Sequence, residues 1–481
     1  MPQTTNDTDC EVAIIGAGLA GLACALTLAD RGVRVTVLEK AAVAGGRAGS
    51  ERDSVTGDTV DLGPHIFMSE YRNMRAWLAR LGTEQRIVWN GPHLHTLVDG
   101  DVHVSARSYR LPPPLHFLPS LLGTPQLSLR DFASNARVTW RAMRYGEHEV
   151  ARLDAVDAAT YLRNCGVRPH LMQWYWATLS MSILNVPLER CSAGALFRFY
   201  RLMIGRNDLQ LGFAGDGLAE LFVSPALAAL AAAGAQVRLN AEVAGVTREA
   251  AGRLSLRLHS GESLTARACV AAVPPDSLYR VLPDTWRQAH AGFRRLREFV
   301  PSPYISTYLW FDRKLTGARA WARTYAPDKL NCDSYDLSNI RLGWSARPSV
   351  IASNIVYSHR ARHLTDAEIV AATLRELTEI APTIAQARLL HARVHRVPMA
   401  IPCPYPGTEH LRLSQATPVP NLYVAGDWTR TGLPASMESA VRAGLLAAEA
   451  VLHARAGAPR IVQAIAPSQG IVGLVRRAAA R

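Results

Sequence analysis

Three glycines near the start of the chain have the spacing of a phosphate-binding turn. Gly16, Gly18 and Gly21 fit the pattern G-x-G-x-x-G, and an acidic residue, Glu39, lies 23 residues after Gly16. In such a pattern the first glycine permits a tight turn, the second admits a pyrophosphate, and the third lets the helix pack on the strand. The free N–H groups and the positive dipole end of the helix then bind the phosphates. With an acid at this spacing for the ribose hydroxyls, the segment predicts a dinucleotide site without distinguishing NAD from FAD.

A second glycine pair follows the acidic residue closely. Gly45 and Gly46 allow close backbone approach, and Arg47 carries a fork of donors that suits a phosphate, although it could also be a surface arginine. A nicotinamide enzyme has no obvious use for a second phosphate loop so close to the first. FAD has a long ribityl–pyrophosphate chain that would use both loops, and this favours FAD.

The segment YVAGDWTRTGLPASMESAVRAG, from Tyr423 to Gly444, predicts a strand that leads into a helix beginning near Ser436. A reduced flavin carries negative charge near its N1–C2=O edge, and the positive end of a helix dipole directed there would stabilise it. Glu438 falls in the first turn, where an acidic side chain suits the dipole of any helix. We therefore expect this segment to complete the FAD site from the other end of the chain.

His65 is the strongest candidate for an acid or base, because an imidazole titrates near neutral pH. The alternative is a histidine that hydrogen-bonds to the backbone beside the cofactor. The sequence contains no Ser-His-Asp order, metal triad or Walker loop that would indicate a rival chemistry, and no metal is expected. Catalysis could therefore depend mainly on positioning in a dry, apolar channel.

The elements around these motifs predict an α/β fold. A β-branched run over 11–15 predicts a buried strand, residues 19–31 predict a helix ended by Gly32, and residues 33–37 predict a second strand. Together they start a βαβ unit with a parallel sheet. Further helices are predicted over 72–81, 218–233, 367–380 and 436–455, and further strands over 236–246, 254–258, 264–273 and 305–311.

The composition limits the possible partners. The chain has 481 residues and a formal net charge of +13 but no Lys/Arg-rich block or zinc-finger spacing, so we expect no nucleic-acid partner. Seven scattered cysteines without a Cys-x-x-Cys pair predict buried thiols in a reducing compartment. The polar N-terminal stretch does not resemble a secretory signal, and no apolar run approaches the roughly 18 residues of a membrane span. We therefore expect a cytoplasmic location.

Two segments indicate contact with a membrane face. Residues 111–125 (LPPPLHFLPSLLGTP) are apolar, and their prolines exclude a long helix, which leaves either a buried loop or an exposed apolar patch. The tail over 461–481 mixes apolar residues with arginines and fits a frayed terminus or an interfacial amphipathic segment. We expect a peripheral contact with membrane lipid.

Over residues 16–50 and 423–452 the chain resembles the N-terminal and C-terminal FAD signatures of the flavin amine oxidase and phytoene desaturase superfamily. Four segments are similar to the branch that holds plant-type phytoene desaturases, ζ-carotene desaturases and bacterial hydroxysqualene dehydroxylases: DLGPHIF, YRNMRAWLARLG, YLWFDRKLTG and GLPASMESAVRAG. The resemblance implies a Rossmann-like, discontinuous FAD-binding domain over 1–100, 206–275 and 400–460, an inserted α+β substrate domain over 101–205 and 276–399, and a basic amphipathic tail over 461–481.

The resemblance also implies which residues hold FAD. Glu39 would bind the adenosine ribose, Val243 would lie near the adenine through its backbone, and residues 63–65 would pass close to the isoalloxazine. Residues 426–427 would contact the pyrophosphate or ribitol, and residues 436–438 would bring a helix N-terminus to the pyrimidine edge of the flavin. The full predicted set is Gly16, Gly18, Leu19, Ala20, Gly21, Glu39, Lys40, Gly45, Gly46, Arg47, Gly63, Pro64, His65, Val243, Gly426, Asp427, Ser436, Met437 and Glu438.

The activity implied by the resemblance is that of an FAD-dependent oxidoreductase acting on a long, hydrophobic isoprenoid. The first expectation is reductive removal of the hydroxyl group from hydroxysqualene to give squalene, and the alternative is desaturation of a phytoene-like carotenoid in the opposite redox direction. A flavin amine oxidase on a soluble amine would need an aromatic cage, to which residues 173–180 (QWYWATLS) could contribute. A flavin-binding regulatory protein without turnover is the alternative from another class. The sequence does not identify the electron donor or acceptor.

Overall fold

The computed structural model of the protein describes residues 9–456 and 460–480. Its first elements form the predicted βαβ unit, with strand Asp9–Ile15, helix Leu19–Ala29 and strand Val35–Leu38. Every residue of this helix is buried, because its small and apolar side chains face other elements on all sides. The Rossmann-like α/β fold class predicted from the sequence is confirmed.

Seven strands of the described residues form one sheet, which we call the dinucleotide sheet. Their spatial order is Gln236–Arg238, Val35–Leu38, Asp9–Ile15, Ser263–Ala271, Leu254–Leu258 and Val243–Arg248, with Leu422–Val424 also paired to Ser263–Ala271. The late strand over 422–424 runs parallel to the strand over 263–271, which is itself parallel to the first strand. This pairing brings the C-terminal segment close to the first glycine turn. The strand predicted over 236–246 is divided in two, and Asn240 in the break has a φ of 52°.

A second group of seven described strands forms the cavity sheet. Their spatial order is Leu389–Pro402, Pro301–Phe311, Val350–Ile355, Asp333–Asp336, Ala320–Arg323, His93–Asp99 and Val102–Arg107. The hairpin over 93–107 spans the domain boundary that the sequence predicts at residue 100. Its first strand pairs with the strand over 320–323, which belongs to the predicted substrate domain. The division of the chain into domains stays a prediction.

Two small sheets and several helices complete the fold. Strands Ser50–Arg52 and Thr59–Asp61 pair with each other, and Leu211–Ala214 lies between Ile66–Met68 and Ile87–Trp89. The longer helices of the described residues, including those predicted, are Leu19–Ala29, Arg72–Leu81, Ala136–Arg144, Ala193–Ile204, Ser224–Ala232, Asp366–Ile380, Met437–Ala456 and Gly470–Ala480. The shorter ones are Leu118–Leu122, Leu129–Ser134, Glu147–Arg152, Ala158–Asn164, Pro169–Leu171, Thr178–Leu184, Pro275–Val281, Asp284–Ala289 and Ala291–Arg294.

The two segments predicted to meet a membrane differ in their packing. Leu111, Leu115, Leu118 and Leu122 are all exposed, so the exposed-patch alternative holds for residues 111–125. The tail is not frayed, because the helix Gly470–Ala480 packs on the helix over 136–144 and buries Val472 completely.

All seven cysteines are buried, as the sequence predicts. Within residues 9–456 and 460–480, no helix has both the length and the apolar character needed to cross a membrane.

Candidate functional site

One continuous cavity of about 1320 Å³ receives residues from both large sheets. Its lining includes all but two of the residues predicted to hold the cofactor, and the two outside it are Gly21 and Glu438. The first glycine turn and residues 426–427 and 436–437 therefore face the same space. A site built from both ends of the chain requires this arrangement.

The three glycines of the first turn are needed for three different reasons. Gly16 has a φ of 100°, and a Cβ there would lie 2.7 Å from the carbonyl oxygen of Ala272. A Cβ at Gly21 would lie 1.9 Å from the carbonyl oxygen of Gly16, so Gly21 lets the helix pack on the turn. A Cβ at Gly18 would meet no protein atom within 4 Å. Gly18 is the N-cap of the first helix, so the open space before it is where free N–H groups can bind a pyrophosphate.

Glu39 follows the second strand, and the backbone holds its carboxylate in place. Oε2 accepts a hydrogen bond from the Ala17 N–H at 2.8 Å, and Oε1 accepts one from the Ala41 N–H at 2.9 Å. Each oxygen keeps a further lone pair, and the residue lines the cavity together with Lys40 and Val243. The oriented carboxylate can therefore accept hydrogen bonds from two ribose hydroxyls.

Arg47 and Asp427 form an ion pair that sequence reasoning did not predict. The guanidinium donates to both Asp427 oxygens, at 2.7 and 3.0 Å, and to the carbonyl oxygen of Ala400 at 2.6 Å. Burial acts to lower the pKa of Arg47, but the charge and hydrogen bonds of Asp427 outweigh it and raise that pKa. Arg47 thus joins the N-terminal loop to the C-terminal segment and does not present a free fork to a phosphate.

His65 lies on the cavity wall with its ring oriented by the backbone. Nδ1 lies 2.8 Å from the carbonyl oxygen of Gly63, so Nδ1 carries the hydrogen and Nε2 presents a lone pair. Burial lowers the pKa of His65, which keeps the imidazole neutral at neutral pH. The hydrogen bond from His65 to the backbone is therefore present. A role of His65 as a catalytic acid or base stays a prediction.

A buried ion pair fixes the segment that leads to His65. Asp61 Oδ2 accepts from Arg341 Nη2 at 2.7 Å, and Asp61 Oδ1 accepts from Ser50 Oγ at 2.6 Å and from the Leu218 N–H at 2.8 Å. The Asp61 and Arg341 side chains are only 3% and 4% exposed. Because Asp61 binds three distant parts of the chain, it holds the following turn against the cavity.

Glu438 has a different environment from the one predicted. Its carboxylate accepts from the backbone N–H groups of Asn73 and Met74, at 3.2 and 2.7 Å, and from Asn73 Nδ2 at 2.7 Å. Burial raises the pKa of Glu438. The side chain therefore caps the start of the helix Arg72–Leu81 and does not face the flavin site, because these three donors already bind its oxygens.

The start of the helix Met437–Ala456 does reach the cavity wall. Ser436 and Met437 line the cavity, and Ser436 Oγ accepts from the Ser439 N–H at 3.1 Å. A Cβ at Gly444 would lie 2.2 Å from the carbonyl oxygen of Ala20, so this helix packs directly on the first helix. The positive ends of two helix dipoles thus lie at the cavity.

Comparison with known proteins identifies the family. The model described as flavin containing amine oxidoreductase matches residues 19–452. The chain belongs to this family. A 15-cis-phytoene desaturase from Capsicum annuum is 27% identical over 465 residues, which cover 92% of this chain and 78% of that protein. A 15-cis-phytoene desaturase from Synechococcus elongatus is 27% identical over 478 residues, with 92% and 95% covered.

Solved structures of similar fold support the same architecture. Cyclohexylamine oxidase from Brevibacterium oxydans superposes with a TM-score of 0.66 at 21% identity, covering 93% of this chain and 99% of that chain. Putrescine oxidase superposes with a TM-score of 0.69 at 15% identity, covering 92% and 99%. At these identities the likeness concerns the fold alone.

The protein is an FAD-dependent oxidoreductase, and the residues on the cavity wall fit that cofactor. The open helix start at Gly18 suits the pyrophosphate, and the oriented carboxylate of Glu39 suits the ribose. Close contacts at Gly16 and Gly45, where a Cβ would lie 2.7 and 2.9 Å from protein atoms, keep the loops in shape. The cofactor prediction is confirmed by the family.

A polar group on the cavity sheet was not predicted from the sequence. Asp333 and Tyr335 are two residues apart on one strand, so their side chains lie on the same face of the sheet. The Tyr335 hydroxyl donates to Asp333 Oδ2. Asn354 lies directly opposite Asp333 on the neighbouring strand and donates to the same oxygen at 3.1 Å. Tyr304 lines the same cavity from a third strand. The segment over 329–343 (KLNCDSYDLSNIRLG), which holds Asp333 and Tyr335, matches no motif.

The rest of the cavity wall is largely apolar and extends to the protein surface. Apolar side chains from the helices over 115–204 line this part: Leu115, Leu118, Leu121, Phe132, Trp140, Met143, Leu171, Phe199, Met203 and Ile204. Leu115, Leu118 and Trp140 are also 40%, 40% and 51% exposed. The neighbouring Leu122 and Leu129 are exposed outside the cavity wall, so we call Leu115, Leu118 and Trp140 the apolar rim of the cavity.

Proposed function

We propose that this FAD-dependent oxidoreductase acts on a long isoprenoid and that its reaction is desaturation of a phytoene-like carotenoid. The observation that carries the proposal is the cavity itself, which joins the dinucleotide residues to an apolar channel ending at the apolar rim. A channel of this kind suits an extended hydrocarbon, because apolar walls gain from burying apolar surface. The phytoene desaturases among the relatives support the same substrate class.

Reductive dehydroxylation of hydroxysqualene to squalene is the second candidate. One observation favours it: the buried hydroxyl oxygen of Tyr304 and the amide oxygen of Asn354 have no hydrogen-bond partner among the described residues. Both residues line the cavity, so they could bind a hydroxyl group on a substrate. A pure hydrocarbon would leave these polar atoms unsatisfied.

The residues of the chain would act mainly by binding, orienting and excluding water. When bound, FAD supplies the capacity to accept or donate a hydride. The first helix and Glu39 would fix its adenosine half, and the Ser436 end of the last long helix would stabilise negative charge at the other half. Apolar walls would hold the isoprenoid in an extended conformation, and His65 would be available through Nε2 as a proton acceptor.

A lipid-product assay distinguishes the two reactions. The FAD-loaded protein would be incubated without oxygen, either with phytoene and a quinone or with hydroxysqualene and reduced flavin, and the extracted lipids analysed. We expect new conjugated double bonds in the phytoene reaction, and squalene from hydroxysqualene if the second candidate holds. Peroxide release from polyamines, with neither lipid changed, would contradict both and support an amine oxidase.

We also propose that the apolar rim and the adjacent leucines contact a membrane. Leu122 and Leu129 are 54% and 75% exposed but do not line the cavity, so their replacement should leave the channel intact. Burying a leucine is worth about 1.5–3 kcal/mol. The double variant Leu122→Glu/Leu129→Glu should therefore bind anionic vesicles at least roughly tenfold more weakly in a sedimentation assay.

The control for vesicle binding is Val55→Glu, a charge placed on another apolar side chain that is 70% exposed. Val55→Glu should bind vesicles like the wild type. Equal binding of the wild type and the double leucine variant would contradict this docking surface.

A further inference from the structure

The cavity contains one carboxyl group, that of Asp333, to which the predicted flavin site gives no role. Asp333 lines the cavity, and its two side-chain donors, Tyr335 and Asn354, both bind Oδ2. Among the described residues no side chain donates to Oδ1. This second oxygen is therefore the one available to a molecule in the cavity.

The other carboxyl groups on the described cavity wall already have roles or lie elsewhere. Glu39 is held by two backbone N–H groups at the ribose position, and Asp427 is paired with the guanidinium of Arg47. Glu242 is adjacent to Val243, at the predicted adenine end. Asp333 differs from all three because it lies on the cavity sheet, and its hydrogen-bond partners are a neutral hydroxyl and a neutral amide.

The position of Asp333 places it near the predicted flavin segment. Asn354 pairs with Asp333 on one side and with Ser306 on the other, and Ser306 Oγ donates to the Leu62 carbonyl oxygen at 2.8 Å. Tyr304, two residues before Ser306, shares its face of the sheet. A Cβ at Gly63 would lie 2.9 Å from the Tyr304 hydroxyl oxygen. The polar face thus packs against the turn that is predicted to pass the isoalloxazine.

The surroundings of Asp333 let its carboxyl group change protonation state near neutral pH. Burial raises the pKa of Asp333 to about 6, against smaller opposing effects of the hydrogen bonds from Tyr335, from Asn354 and from its own backbone N–H. Titratable neighbours are Cys332, immediately before the strand, Tyr335 on that strand and Tyr304 on another strand, and burial raises the pKa of each. These neighbours stay neutral, and no cation in the part of the chain that the structure describes pairs with Asp333 to hold it ionised.

We infer that Asp333, rather than His65, is the catalytic acid–base residue that exchanges a proton with the isoprenoid substrate. This inference rests on the proposed function. In a desaturation, one C–H bond would break as a hydride with its electron pair, for which bound oxidised flavin would be the acceptor. The neighbouring C–H bond breaks as a proton that goes to the Asp333 carboxylate, and its electron pair forms the C=C bond.

In the dehydroxylation the same group acts in the opposite sense. The Asp333 carboxylic acid donates its proton to the substrate hydroxyl, and the C–O bond breaks with its electron pair to release water. The carbon that lost the hydroxyl would then gain its new C–H bond from a hydride, for which bound reduced flavin would be the donor. Asp333 can thus serve either reaction, but desaturation requires its carboxylate and dehydroxylation requires its carboxylic acid. The protonation state of the active enzyme therefore distinguishes the two reactions.

The decisive variant is Asp333→Asn, which keeps the size of the side chain and an oxygen to accept from Tyr335. We expect kcat to fall roughly a hundredfold, with FAD affinity unchanged.

In the wild type, kcat should change with an apparent pKa of about 6. The rate rises with pH if the carboxylate is the active form, as in desaturation, and falls with pH if the acid is active. The variant should lose this inflection. Asp328→Asn, whose side chain is 75% exposed, is the matched control and should behave as the wild type.

A second measurement does not depend on turnover. The infrared difference spectrum of the substrate-free holoenzyme between about pH 5 and pH 7 should contain a carboxylic acid band that is absent from Asp333→Asn. Retention of kcat and of the pH inflection in Asp333→Asn, or loss of the inflection in His65→Gln instead, would overturn the inference. If the wild type converts neither lipid, the proposed function fails with it, whereas an active wild type and an equally active Asp333→Asn variant overturn the inference alone.

Discussion

Replacing Gly18 with aspartate is expected to weaken FAD binding strongly while the fold stays intact. A Cβ at this position meets no protein atom within 4 Å, and the backbone has a φ of −77° and a ψ of −179°, which any residue can adopt. Aspartate is also a preferred N-cap residue, so the first helix should remain as stable as before. Its carboxylate would occupy the free N–H groups of the helix start and repel the pyrophosphate.

The measurement for Gly18→Asp is titration of the flavin-free protein with FAD, together with thermal unfolding in the absence of FAD. We expect a Kd for FAD at least roughly a hundredfold higher, which corresponds to about 2.7 kcal/mol, and an unchanged Tm. Gly317→Asp is the control, because Gly317 also has no neighbour within 4 Å of an added Cβ and does not line the cavity. A Gly18→Asp protein that is purified with its full complement of flavin would exclude this helix start as the pyrophosphate site.

Arg341→Met should be strongly destabilising, because it leaves the carboxylate of Asp61 buried without its cation. Both side chains are nearly inaccessible, and Nη2 of Arg341 lies 2.7 Å from Asp61 Oδ2. Removal of one partner from a buried pair costs about 3–5 kcal/mol of the free energy of unfolding. Denaturant unfolding of the flavin-free protein measures this loss directly.

The double variant Asp61→Asn/Arg341→Met tests the cause of the Arg341→Met loss. An asparagine at 61 removes the stranded charge but can still accept from Ser50 and Leu218, so it should recover most of the stability. Arg295→Met removes an exposed partner of Glu298 and should have little effect. Equal instability of the single and double variants would point to lost packing of the Arg341 side chain rather than an unpaired charge.

The parts of the site that could be predicted are those whose residues are close together both in sequence and in the folded structure. The glycine turn, its helix and Glu39 lie within one βαβ unit, so short-range pattern determines their arrangement. The C-terminal helix start could be predicted in the same way, since a strand and its following helix are local. The hairpin over 254–271 likewise follows from two apolar runs and a polar turn between them.

The remaining contacts depend on strands that are distant in sequence. Arg47 meets Asp427 across 380 residues, and nothing in either local segment indicates the other. The carboxylate of Glu438 looked like a helix-dipole residue of its own helix, but tertiary packing places it at the start of another helix. Asp333 becomes part of the cavity only because three strands bring Tyr304, Asn354 and Asp333 to one face of a sheet.

Since all seven cysteines are buried, maleimide reagents should leave the native protein unlabelled. Burial also raises the pKa of the Cys24, Cys191 and Cys269 thiols, so little reactive thiolate forms at these positions. A cysteine introduced at the exposed Leu122 would therefore carry a spin or fluorescent label as a single reporter. Its quenching by lipid-bound probes would give the depth of this residue in a bilayer without removal of any native side chain from the core.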